Sequence, residues 1–92
     1  MKYYLHFEAG SLNDYFDGIA YYEKVSNDLA DRFHKEFWGA IDRIKENPLH
    51  YQVRYRKIRI AFTEVFPFGI HYIIEKQQIT VLKILHTKRF FK

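Results

Sequence analysis

With 92 residues, 48% apolar and 20% aromatic, the chain has material for one hydrophobic core and too little surface for two, so a single domain over residues 1–92 is expected. No cysteine is present, which excludes disulfides, thiolate metal sites and cysteine nucleophiles; with no secretory leader after Met1-Lys2 and no run of ~18 apolar residues, the cytoplasm is the expected compartment and no membrane partner is expected. The net charge of +4 conceals a division at Pro48: residues 1–47 carry six Lys/Arg against nine Asp/Glu, residues 48–92 nine against two, so the carboxyl half suits a polyanionic or acidic partner.

Tyr3, Leu5 and Phe7 alternate with Tyr4 and His6, the period of a short strand with one buried face. Ala9-Gly10-Ser11 breaks that pattern, and Ser11 with Asp14 three residues on has the form of a capping box that starts a helix. Leu12, Tyr15, Phe16, Ile19 and Tyr22 then share one helical face, with Gly18 as a weak point. Ser26-Asn27-Asp28 supplies turn and cap chemistry for a second helix, whose stripe Leu29, Phe33, Phe37, Ala40 and Ile44 ends near Asn47-Pro48. Asp31 with Lys35 and Arg32 with Glu36 are opposite charges at helical spacing, expected on solvated faces.

Beyond a loop at 49–52 the period changes to two. Ile58, Ile60 and Phe62 form one even-numbered apolar set, and Phe66, Phe68, Ile70, Tyr72 and Ile74 a second, so two neighbouring strands are expected to share a buried face. Lys57, Arg59 and His71 are then expected together on the opposite, open face. Glu75-Lys76-Gln77-Gln78 reads as a hairpin connection, and the strand from Ile79 to His86, apolar on both sides, as a central one. The fold class is therefore α+β: an antiparallel four-stranded sheet with an N-terminal helical hairpin packed on one face, in the order β-α-α-β-β-β.

Four stretches carry a resemblance: Tyr55-Arg56-Lys57-Ile58-Arg59, Phe66-Pro67-Phe68-Gly69-Ile70-His71-Tyr72, the strand closing on His86, and His86-Thr87-Lys88-Arg89. Together with Tyr21-Tyr22-Glu23, Leu29-Ala30-Asp31-Arg32-Phe33 and Asn47-Pro48, they resemble toxins of the RelE/ParE superfamily, also known as plasmid stabilisation proteins. The resemblance implies the toxin of a type II toxin–antitoxin system, neutralised by a cognate antitoxin. It also implies one of two targets: messenger RNA cut in the ribosome by RelE-like members, or DNA gyrase poisoned by ParE-like members.

Metal-free RNA cleavage needs a base, cations around the phosphate and an acid for the leaving oxygen. Lys57, Arg59, His71, His86 and Arg89 are the candidates for that constellation, with Arg54, Arg56, Lys83 and Lys88 as nucleic-acid contacts. Each has a plainer reading, as a hydrogen-bonded structural histidine or a solubilising cation. RNA-cleaving relatives commonly carry a tyrosine or comparable polar group in the tail, where this chain has Phe90 and Phe91. His6, His34 and His50 have no metal-ligand spacing, and no phosphate loop or nucleophile elbow occurs, so no metal or cofactor is expected. A small basic nucleic-acid-binding domain, or a toxin remnant without activity, is the alternative reading.

Overall fold

The fold is that of a computed structural model, which describes residues 2–86. Its elements are β1 (Tyr4–Phe7), α1 (Ala9–Glu23), α2 (Asn27–Glu46), β2 (Val53–Tyr55), β3 (Ile58–Phe62), β4 (Phe68–Glu75) and β5 (Gln78–His86). The sheet has five strands in the order β1-β5-β4-β3-β2. β1 runs parallel to β5, whereas the other three pairings are antiparallel. The expected four-stranded antiparallel sheet is thus corrected to a five-stranded mixed one. The additional strand, β2, escapes a periodicity argument because three exposed residues present no buried face.

The helical hairpin covers one face of the sheet. α2 starts as expected, with the Ser26 hydroxyl accepting the Leu29 N–H at 3.0 Å. It buries Ala30, Phe33, Phe37, Ala40, Ile41 and Ile44. α1 differs from expectation at both its start and its face. It begins at Ala9 without a side-chain cap, and the Ser11 hydroxyl donates back to the Glu8 carbonyl at 2.7 Å. Ser11, Tyr15, Gly18 and Tyr22 are the buried positions, while Leu12 and Phe16 stay exposed. A small residue permits this rotation: a Cβ on Gly18 would sit 3.0 Å from the Phe33 ring, so glycine there lets that ring of α2 pack close against α1.

Register sets which side chains share a face. Arg59 pairs with Tyr72 and Ala61 with Ile70, on the helix side; Ile60 pairs with His71 and Phe62 with Gly69, on the open side. The even residues of β3 therefore lie opposite to the even residues of β4, and the expectation of one shared buried face is overturned. Ala61, fully buried, occupies the helix side, where α2 packs over β3. In β5 the register slips by one between Lys83 and Val81, leaving Leu82 as the extra residue of a bulge. The core phase accordingly switches from Ile79 and Val81 to Ile84, which is why the strand reads as apolar on both sides.

Tyr72 and Glu36 close the remaining seams. The fully buried Tyr72 hydroxyl donates to the Pro48 carbonyl at 2.6 Å, tying the end of α2 to β4. Its burial pushes the phenol up to about 12, against the opposing pull of Arg59. Glu36, expected on a solvated face with Arg32, is half-buried and accepts the Val65 N–H at 2.9 Å, fastening the β3–β4 loop to α2. Among the described residues neither expected helical ion pair forms. No helix of the described residues is long and apolar enough to cross a membrane.

Candidate functional site

The residues expected to form one constellation are divided by the sheet. Arg59 belongs to the helix side, where its guanidinium donates to the carbonyls of Tyr51 and, at 3.4 Å, Leu49. It braces the chain between α2 and β2. Lys57 stands in the β2–β3 turn, next to Arg56, whose φ of 52° is the left-handed conformation this two-residue connection requires. The expectation that Lys57, Arg59 and His71 project from one open face is corrected accordingly.

His71 is on the open face and is nearly inaccessible, 3% exposed. Its neighbours across the register are Ile60 and Lys83, and its Nδ1 lies 3.1 Å from the Tyr55 hydroxyl. Burial first, and then the Lys83 charge, hold its acid constant below the ordinary 6.5, so the neutral ring is favoured. Tyr55, read from sequence only as part of a basic run, packs against it.

His86 pairs with Phe68 and so lies on the opposite side of the sheet from His71. Its ring meets Phe68 edge to face, centroids 5.1 Å apart. With Phe68, Ile84 and Leu85 it lines a groove of about 280 Å³ whose other wall is α1, contributing Asp14, Asp17, Gly18 and Tyr21. The groove exists because β1 ends at Phe7, opposite Val81, and among the described residues no strand pairs with the rest of β5 on that side. Asp14 takes the place of the missing strand, its carboxylate accepting the Ile84 N–H at 3.0 Å. Sequence reading assigned Asp14 to a helix cap and gave Asp17 no role, because nothing local shows which strand end a helix flank will meet.

On the other edge, Arg54 lies over the Phe62 ring, 5.6 Å from its centroid. Val53, Tyr55 and Phe62 are exposed on these two strands, and Leu49 and Val65 in the loops that flank them. Lys88 and Arg89 lie outside the described residues. Among the described residues no group of His, Asp and Glu could hold a metal ion.

This fold and chain pattern match the family described as the ParE toxin of the type II toxin–antitoxin system parDE, over residues 5–91. The chain belongs to the ParE toxin family. No curated protein sequence matches it. Among solved structures, a chain of the chromosomal ParDE TA system from P. aeruginosa superposes with a TM-score of 0.81 at 13% identity, covering 92% of this chain and 96% of that one. At that identity the likeness is one of fold. The ParE fold thus supplies two distinct surfaces in this chain: the Arg54–Phe62 edge with the adjoining open face, and the acidic groove beside β5.

Proposed function

We propose that this ParE-family chain arrests growth by binding and poisoning DNA gyrase without cutting RNA, and that a cognate antitoxin neutralises it. The separation of the two histidines carries this reading. A base and an acid acting on one phosphate must both reach it within hydrogen-bonding distance. His71 and His86 face opposite sides of the sheet, and Arg59 is committed to backbone carbonyls on the helix side. The aromatic tail, Phe90-Phe91, offers no proton donor in place of the missing tyrosine.

The Arg54–Phe62 edge supports binding instead. Arginine and aromatic side chains dominate the energetics of protein interfaces, and this edge presents both beside Tyr55, with Arg56 and Lys57 in the adjoining turn. Lys83 extends the positive charge across the open face, and Lys88 and Arg89 belong to the same basic half of the chain. The apolar flank of α1, Leu12 and Phe16, suits the antitoxin.

Two measurements after brief induction test the proposal together. Accumulated gyrase-cleaved DNA with intact transcript ends is the expected result. Codon-phased cuts in messenger RNA, with DNA intact, would refute it.

A further inference from the structure

We infer that Tyr15, His34 and Trp38 form a proton-sensitive clasp between α1 and α2, closed while the His34 imidazole is neutral and opened when that ring takes up a proton. The inference does not depend on which cellular target the toxin takes.

The direction of two hydrogen bonds carries it. The Tyr15 hydroxyl of α1 is bonded to His34 Nδ1 and, at 3.2 Å, to the Trp38 indole nitrogen, both from α2. An indole N–H can only donate, so the Tyr15 oxygen accepts from Trp38. The hydroxyl proton is then directed at His34, and only an unprotonated Nδ1 can accept it. The closed clasp therefore requires a neutral ring that carries its proton on Nε2. Tyr15 is 5% exposed, so water has little access to replace a lost acceptor. Once His34 is an imidazolium, its Nδ1–H and the indole N–H compete for one phenol oxygen, and the hydroxyl proton has no acceptor.

The surroundings favour release of the charged ring. His34 is exposed and lines a cleft of about 460 Å³ along the seam between the two helices. The charged groups facing it there are Glu23 of α1 and Asp28 and Asp31 of α2, with no lysine or arginine in the lining. Lys35, adjacent in sequence, projects from another part of the helix surface. β1 reaches the triad through the uncharged ring of Phe7, centroid 5.8 Å from that of Trp38. An imidazolium leaving the Tyr15 hydroxyl thus meets carboxylates. Phe16 lines the same cleft and meets Tyr15 edge to face at 5.3 Å, so opening of the clasp is felt on the exposed flank of α1.

Trp38 is the one tryptophan of the chain, and its ring centroid lies 6.4 Å from that of His34, so its fluorescence reads a single site. In the full chain, emission is expected to change in one step between about pH 8 and pH 5, where imidazoles titrate, while far-UV circular dichroism stays constant. His34→Gln should remove the step, because an amide does not titrate. Tyr15→Phe is the discriminating variant: it keeps the ring in the core and deletes the hydroxyl, so most of the step should be lost although His34 and Trp38 remain neighbours. A step as large in Tyr15→Phe as in the parent means that His34 acts on Trp38 directly, and it overturns the clasp. A parent without a step overturns it too. His71→Gln, on the face of the sheet opposite to the helices, should leave the step unchanged; its loss there assigns the titration to His71 and likewise overturns the inference.

Discussion

Tyr72 and Arg59 stand side by side on the helix face, and both spend their polar groups on the chain that links α2 to the sheet. Removing the Tyr72 hydroxyl leaves the Pro48 carbonyl without that donor, at a cost of about 1–3 kcal/mol. Tyr72→Phe should therefore lower the urea midpoint with no change in the growth-arrest dose once stability is restored by cooling. Arg59→Ala should lower stability by a comparable amount, because the donor to both the Tyr51 and the Leu49 carbonyl leaves with the side chain. An Arg59→Ala protein as stable as the parent would show that the bracing is without weight. His71 should contribute to acid sensitivity. Its folded-state acid constant is depressed, so the unfolded chain binds the proton more readily; the resulting stability is present above about 6.5 and is lost as pH falls below it. Thermal melts through that range should show the decline in the parent and a flatter dependence in His71→Gln.

At the scale of elements, α1 is the informative case. Its apolar residues outnumber the positions that the sheet and α2 can cover, so its face is chosen by steric fit and not by hydrophobicity. Gly18→Ala tests this. Alanine favours the helix by about 1 kcal/mol, but its Cβ would lie 3.0 Å from the ring of Phe33. That ring is fully buried and is packed by Tyr15, Tyr22, Phe37, Phe66 and Phe68, so it cannot yield, and overpacking of this kind costs about 1–3 kcal/mol. The net outcome expected in chemical denaturation is destabilisation; a stabilised variant would show that α1 can shift. The exposed flank of the same helix makes a separate prediction. Phe16 is 61% exposed, so Phe16→Glu should leave folding and toxicity intact while weakening neutralisation by the antitoxin. Titration of growth rescue against antitoxin expression would measure it, and undiminished rescue would place the antitoxin elsewhere.

For the whole molecule, the division of charge at Pro48 becomes a division of space. The acidic half supplies the helical layer and the edge strand β1, and the basic half supplies β2 to β5. Target binding and antitoxin binding are then separable by mutation. Arg54→Glu combined with Phe62→Ala should abolish growth arrest, because both residues are exposed at the sheet edge, while antitoxin binding persists. Loss of both activities together would mean that the two partners share one surface. Since exposed substitutions typically change stability by no more than about 0.5 kcal/mol, circular dichroism of the double variant should match the parent.

The elements that sequence alone determined are those whose signal is local. The stripe of α2, the Ser26 cap, the Lys76-Gln77 turn between β4 and β5 and the alternation along β1, β3 and β4 depend on residues within a few positions of one another. Family membership was legible for a related reason, since it rests on motifs along the chain and not on their meeting in space. Tertiary structure decided everything that depends on relative placement. Alternation says that Ile60 and Arg59 point apart, but only pairing with His71 and Tyr72 says which one the helices cover. One bulge residue, Leu82, reverses the phase of β5, and with it the side on which His86 emerges. The histidines, readable from sequence as partners, are separated by the sheet because facing is a property of register, which long-range hydrogen bonding sets and no local pattern encodes.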